Sequence, residues 1–282
     1  MESGVVIPAV EPGTLYVVST PIGNLADLSP RAVQTLERVD AVLAEDTRHS
    51  RPLLARHGVS TPLVPYHEHN EAKATPKLVA RLVSGESLAL ISDAGTPLLS
   101  DPGATLVRAA IASCVRVSPV PGPSALLAAL VGTGIDADRF TFFGFLPRKG
   151  RARAEAIREI AALGHTAVVY ESGPRVAGTL AALAAAGAAS RRAAVARELT
   201  KQFEEFRRGT VASLEMSYRE EQPRGELVLV VAGGTPPAVD EADLRERARR
   251  LRAEGLSARD VARVLSEEAN APRNLAYRVA HE

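Results

Sequence analysis

Three short strings in this chain hold residue types that bring a main chain close to a small ligand. They are Ser19-Thr20-Pro21-Ile22-Gly23-Asn24-Leu25, the run from Ser92-Asp93-Ala94-Gly95-Thr96 through Asp101-Pro102-Gly103, and Pro119-Val120-Pro121-Gly122-Pro123-Ser124-Ala125. Glycine removes the Cβ that would hold a ligand off the backbone, and proline fixes the loop before anything binds. The Asp93 carboxylate can face a cationic or hydroxyl-bearing ligand. None of the three reads G-x-x-x-x-G-K-[ST], so a phosphate cradle is not indicated. Two further groups mix acids with bases, the combination that proton transfer and anion stabilisation require. One is Glu45, Asp46, Arg48 and His49, followed by His67 and His69. The other is Arg197, Glu198 and Lys201. Any one of these residues alone is better read as a solvated or salt-bridged side chain. Gathered at strand ends around one cleft, they become candidates on the substrate side.

The elements around them supply such an arrangement. Short β-branched runs at residues 15–19, 41–44, 63–66, 87–92 and 115–120 alternate with helical patterns, one opened by Ser29 and Pro30 as cap and first residue. That alternation predicts a mostly parallel sheet covered on both faces. The Gly/Pro strings then follow the first, fourth and fifth strands, at the carboxyl edge where open α/β sheets bind ligands. A second α/β block follows, with strands expected at 140–144, 166–170, 193–196, 202–207 and 227–232 and an alanine-rich helix over 177–186. Residues 233–237 read as a linker. Helical patterns over 241–254, 257–268 and 272–281 close the chain, the second opened by Ser257 and Asp260 in a variant capping box. The expected organisation is a tail over 1–12, α/β domains over 13–121 and 122–234, and a helical extension over 238–282.

Two tempting motifs fail on context. Gly132-Thr133-Gly134-Ile135-Asp136-Ala137 matches G-x-G-x-x-A, but it leaves a helix and enters a strand, the reverse of a dinucleotide site. Gly132 reads as the helix C-cap. His67-Glu68-His69 suits a metal by spacing alone, yet no further ligands cluster nearby, and no metal is expected.

Composition sets limits. In 282 residues, 34 Lys plus Arg balance 33 Asp plus Glu for a net charge of +1, so any polyanion must meet a local basic patch. Arg148, Lys149, Arg151 and Arg153 form one, in an expected loop after 140–145, where such a run can meet the phosphates of a polyanion. Phe142, Phe143 and Phe145 read as strand core. The hydrophobic fraction of 46% is enough to bury a core. The single Cys114 excludes an internal disulfide and fits a reducing, cytoplasmic setting. No apolar run approaches the roughly 20 residues that span a bilayer, and the first residues do not read as a signal peptide.

Eight strings, in order and at natural spacing, resemble the ribosomal RNA small subunit methyltransferase I family of the tetrapyrrole methylase superfamily. They are T-P-I-G-N-L-x-D-L-S-P-R-A from Thr20, A-E-D-T-R-H-S from Ala44, H-E-H-N-E from His67, and S-D-A-G-T-P-L-x-S-D-P-G from Ser92. P-G-P-S-A from Pro121, G-F-L-P-x-K from Gly144, Y-E-S from Tyr170 and A-R-E-L-T-K from Ala196 complete the set. The resemblance covers Gly13 to about Ala232. It departs from the family at 170–175, where Tyr-Glu-Ser-Gly-Pro-Arg stands for Y-E-S-P-H-R; no role of that histidine carries over.

The resemblance implies two α/β domains with S-adenosylmethionine in the cleft between them, usually in a homodimer. It implies 2′-O-methylation of a cytidine ribose in the decoding region of 16S rRNA, with the small ribosomal subunit or its precursor as partner. Carried onto this chain, the cofactor would meet Pro21, Gly23, Asp93, Ala94, Gly95, Thr96, Asp101, Pro121, Gly122, Ser124, Ala125, Tyr170, Glu171, Arg197, Glu198 and Leu199. Catalysis would fall to Arg48, Glu45, Asp46 and His67, with Arg48 as the electrostatic partner of the acceptor. Lys201 would join the basic loop on RNA. Two other readings stand beside this one: a methyltransferase of a tetrapyrrole-type small molecule, and a non-catalytic helix-turn-helix protein built on the arginine-rich tail.

Overall fold

In the first half of the chain, consecutive strand residues point to two covered faces, which is why the strands read as nearly continuous apolar runs. The computed structural model describes residues 9–234, 241–268, 271 and 273–282. Most of the expected tail, residues 1–8, most of the expected linker, and position 272 lie outside the described residues. Strands β1 (Thr14–Val18), β2 (Ala41–Ala44), β3 (Leu63–Pro65), β4 (Leu88–Ile91) and β5 (Arg116–Val120) form one sheet in the order β3-β2-β4-β1-β5. Every neighbouring pair is parallel. Tyr16, Val18, Val42 and Ile91 face a core closed by α1 (Pro30–Arg38) and α2 (Thr47–Arg56). Leu15, Leu43, Leu88 and Leu90 face the other core, closed by α3 (Glu71–Val83) and α4 (Ala104–Ala112).

The helix starts show what the sequence disclosed and what it hid. At α1 the Ser29 side chain accepts the Ala32 N–H and Pro30 occupies the first turn, as its sequence predicts. Helix α2 has no counterpart among the helical patterns read from the sequence: Asp46 caps it by accepting the Arg48 N–H, and Pro52 inside it masks the pattern. Helical spacing in the sequence is legible only over 77–83, whereas α3 begins six residues earlier, at Glu71, across an internal proline, Pro76.

The second sheet is mixed. Its strands are β6 (Phe140–Phe145), β7 (Thr166–Ser172), β8 (Arg192–Arg197), β9 (Glu205–Thr210) and β10 (Glu226–Val231), in the order β6-β7-β10-β8-β9. Only β6 and β7 run parallel; the other pairs are antiparallel. Helix α5 (Ala125–Thr133) packs on one face through Leu126, Ala129 and Leu130, against Val168, Ala194, Ala196 and Val228. Helices α7 (Gly173–Leu183) and α8 (Val211–Glu220) pack on each other and on β7, β8, β9 and β10.

Three details differ from expectation. The strand expected at 202–207 lies at Glu205–Thr210, because Glu198 and Thr200 take left-handed φ values of 51° and 65° and turn the chain first. The C-cap of α5 is Gly134, at φ 70°, and not Gly132. Gly132 lies inside the helix, and glycine is required there by the Phe206 ring packed on it; a Cβ would sit 2.3 Å from the ring. The basic loop expected over 148–153 is shorter, since α6 (Arg151–Ala162) already starts at Arg151.

Both sheets belong to one compact unit, up to Ala161 and from His165 to Ala232; Ala162–Gly164 and Gly233–Glu282 form a second. In the second unit, α9 (Glu241–Ala253), α10 (Ala258–Glu268) and α11 (Arg273–His281) close around Leu244, Ala248, Val261, Leu265, Ala276 and Val279. Ser257 caps α10 by accepting the Asp260 N–H, and its hydroxyl donates to the Asp260 carboxylate.

Candidate active site

Because β1 to β5 are parallel, the segments that follow them all emerge at one edge of the sheet. Hydrogen bonds tie them together there. Thr20 and Gly95 exchange backbone N–H···O bonds of 2.8 and 3.0 Å, and the Thr20 hydroxyl donates to the Ser92 carbonyl at 3.1 Å. The Thr96 hydroxyl donates to the Pro123 carbonyl at 3.1 Å and lies 3.1 Å from Ser19 Oγ. The Asp46 N–H donates to Asp93 Oδ1 at 3.1 Å, which draws in the segment after β2.

This edge and the α5 face of the second sheet enclose a cavity of about 410 Å3. Ile22, Leu99, Ala125, Leu199, Leu227 and Val228 give it an apolar wall. Glu45, Asp93, Asp101, Glu198 and Glu226 place five carboxylates around it, against one cation, Lys201. That cation is already paired with Glu198 at 3.1 Å. Burial, together with the neighbouring Glu45, pushes the Asp101 carboxyl up to about 6. Burial, then Asp93 and Glu68, also raises Glu45. Such a cavity favours a ligand that carries positive charge and apolar surface.

Of the residues expected to meet a cofactor, Asp93, Ala94, Gly95, Thr96, Asp101, Ala125, Tyr170, Glu198 and Leu199 line this cavity, as do Glu45 and Lys201. Tyr170 Oη accepts the Leu126 N–H at 3.2 Å, and its ring stands against Phe142 and Phe145 at centroid distances of 4.8 and 5.5 Å. Pro21, Gly23, Pro121, Gly122 and Ser124 shape the frame instead of the wall. Gly23 admits the Lys201 side chain, Gly122 lies against Ser19, and Ser124 caps α5.

Glu171 and Arg197 point to the other side of the second sheet, since neighbours along a strand alternate. The Glu171 side chain is fully buried, accepting from the Thr179 hydroxyl at 2.7 Å and the Ser172 N–H at 2.9 Å, with Arg175 at 3.2 Å. Arg197 pairs with Glu205 at 3.0 Å.

Asp46 and Arg48 form a two-point ion pair at 2.8 and 3.1 Å outside the cavity lining, with the Arg48 side chain 90% exposed. Hydrogen bonds from the Arg48 side chain and N–H hold the Asp46 carboxyl well below its ordinary value. His67 follows β3 with Nδ1 buried and unpartnered, its ring 5.9 Å from that of His69. Among the basic residues, Arg148 and Lys149 are exposed. Arg151 pairs with Glu155, whereas Arg153 bonds the Thr179 hydroxyl at 2.8 Å and the Pro147 carbonyl at 3.3 Å.

Sequence reasoning missed Ile22, Leu99, Ser100, Phe145, Ala196 and the start of β10 as lining residues. Glu226, Leu227 and Val228 line the cavity but have the composition of an ordinary core strand. The one available signal was Gly225, at φ 84°, where a Cβ would lie 3.3 Å from Glu198 Oε1.

Comparison with known proteins agrees with this geometry. A family model described as tetrapyrrole (corrin/porphyrin) methylases matches residues 14–215. Proteins named ribosomal RNA small subunit methyltransferase I match nearly end to end. The one from Synechocystis is 44% identical over 96% of this chain and 98% of its own. The one from Xylella fastidiosa strain Temecula1 is 48% identical over 94% and 98%, and the one from Escherichia coli O157:H7 41% over 96% and 95%. The chain belongs to the ribosomal RNA small subunit methyltransferase I family, within the tetrapyrrole methylases.

Proteins of known structure share the fold at low identity. Diphthine synthase superposes with a TM-score of 0.61 at 14% identity, covering 79% of this chain and 90% of its own. Uroporphyrin-III C-methyltransferase from Thermus thermophilus, complexed with S-adenyl homocysteine, superposes at 0.55 and 18% identity, covering 78% and 96%.

Proposed function

We infer that this methylase transfers a methyl group from S-adenosylmethionine to the 2′-hydroxyl of a cytidine ribose in 16S rRNA. The observation that carries the donor is the acidic cavity at the glycine- and proline-rich edge: five carboxylates and one paired lysine around an apolar wall suit a sulfonium attached to an adenosine. The RNA acceptor is supported by the name of relatives that are 40–48% identical over most of the chain.

The residues present fit the cofactor. Gly95, at φ 86°, brings backbone to the cavity where only glycine is unstrained. Asp93, Ala94, Thr96 and Glu198 offer polar contacts beside it, and Leu99, Leu199 and Val228 an apolar surface for a base. Pro21, Gly23, Pro121, Gly122 and Ser124 keep the loops in place. Glu171 and Arg197 act through the backbone of Tyr170 and Glu198, their neighbours. When bound, S-adenosylmethionine would supply an electrophilic methyl group on a sulfonium sulfur whose positive charge disappears on transfer.

The chain must hold the acceptor oxygen and receive its proton. Glu45 is at the cavity and has its carboxyl raised by burial and Asp93, which makes it a stronger base than an ordinary carboxylate. We assign it the 2′-hydroxyl proton. The Arg48–Asp46 pair sits beside it on the exposed side, where Arg48 meets an acceptor phosphate or ribose. His67 faces the same strand edge. Arg148, Lys149 and Lys201 contact RNA phosphates, with Arg151 and Arg153 behind them. The proposed working form is a cytoplasmic homodimer acting on the small subunit or its precursor, with residues 13–121, 122–234 and 238–282 as its domains. One five-stranded sheet in each of the first two supports that division.

Mass spectrometry of 16S rRNA from a strain lacking this protein tests the reading. One ribose methyl mark should vanish and return on complementation; an unchanged pattern overturns it. Glu45→Gln should cost turnover about 100-fold or more at saturating substrate. Retained turnover would move the proton to another group.

A further inference from the structure

Arg197, Arg207, Tyr218 and Arg224 line a second recess, of about 200 Å3, on the face of the second sheet that carries α7 and α8. Its hydrogen-bonding groups do not balance. The two carboxylates at hand are taken: Glu205 accepts from Arg197 at 3.0 and 3.1 Å and from Arg207 at 3.0 Å, and Glu221 accepts from Arg207 at 3.2 Å. Arg207 also donates to Ser217 Oγ at 3.0 Å and lies over the Tyr218 ring at 4.9 Å. Two donors remain. Among the described residues, Arg224 is exposed with no side-chain partner, and Tyr218 Oη is buried with none, in a residue only 2% exposed. Burial raises the Tyr218 phenol, so it keeps its proton and stays a donor. An unmatched buried donor beside arginine forks is the chemistry of an oxyanion site.

The position of the recess says which oxyanion. Arg197 precedes Glu198, and Arg224 precedes Gly225 and Glu226, all three of which line the cofactor cavity. Neighbouring Cα atoms are about 3.8 Å apart, so the two openings share one wall of chain. On the reading that the cavity takes the acceptor ribose, the recess adjoins it through that wall. We propose that Arg224, Arg197, Arg207 and Tyr218 Oη bind a backbone phosphate of the substrate RNA, next to the nucleotide that is methylated. The proposal rests on the reading of RNA as the acceptor.

The test uses full-length Arg224→Ala and Tyr218→Phe variants with small ribosomal subunits from the strain lacking the protein. Arg224→Ala should lower the slope of log affinity against log salt by about 0.7, the value for one single-strand phosphate contact. Tyr218→Phe, which removes only the buried donor, should raise KM for the subunit about threefold to tenfold. S-adenosylmethionine affinity by calorimetry should match the wild type in both. An unchanged salt slope and KM overturn the site, as does a loss confined to cofactor affinity. Saturable binding of inorganic phosphate that the variants abolish, with subunit binding unaltered, makes this a free-anion site and also overturns the proposal. Methylation of the same subunits by the wild-type protein tests the underlying reading separately.

Discussion

Thr20 and Gly95, 75 residues apart, exchange both backbone hydrogen bonds as an isolated antiparallel bridge between loops of a parallel sheet. The bridge fixes where the backbone around Gly95 faces the cavity. Gly95→Ala meets two obstacles: a φ of 86°, and Ile22 Cγ2 only 3.1 Å from the new Cβ. The strain should cost about 1–2 kcal/mol. Calorimetry should show S-adenosylmethionine binding at least tenfold weaker, while chemical unfolding shows a still cooperative fold.

Glu171 makes a different kind of contribution. Its buried carboxylate joins Thr179, Ser172 and Arg175, and Arg175 in turn donates to the Leu146 and Pro147 carbonyls. Glu171→Ala strands these donors and should destabilise by about 3 kcal/mol, seen as a lower denaturation midpoint. Glu171→Gln should cost less, because an amide oxygen can still accept from Thr179.

Asp101 predicts how cofactor affinity responds to pH. A carboxyl raised to about 6 in the free protein is more protonated than its unfolded form between about 4 and 6. Its own contribution to stability therefore falls as pH rises through that window. Binding a cation reverses the preference and favours the carboxylate. S-adenosylmethionine affinity should rise as pH passes upward through 6, and that of the uncharged thioether product should rise less. Parallel profiles for the two ligands would exclude this charge pairing.

The basic segment divides into two roles. Arg148→Ala with Lys149→Ala should lower the salt slope of RNA binding by about 1.4 without shifting the unfolding midpoint. Arg153→Ala should shift the midpoint, because its guanidinium holds Thr179 and Pro147. Filter binding at graded salt, paired with thermal unfolding, separates the two.

The sequence alone determined the ten strands, with β9 displaced, and the edge on which the ligand loops gather. Alternating strands and helices force parallel pairing, and parallel pairing puts every loop after a strand at one edge. Helices α2, α3 and α6 were hidden in whole or part, because Pro52, Pro76 and a run of cations mask an amphipathic period. Tertiary structure alone decided which residues of a motif face the ligand. Tyr170 and Glu171 are adjacent in one string, as are Arg197 and Glu198 in another, yet one member of each pair lines the cavity and the other the opposite face. Alternation along β7 splits the first pair, and the left-handed turn at Glu198 just after β8 splits the second; which member falls on which side depends on which face α5 covers. Leu227 and Val228 were illegible for a related reason: a cavity wall and a packed core ask for the same apolar side chains, and only the shape left empty between the sheets tells them apart.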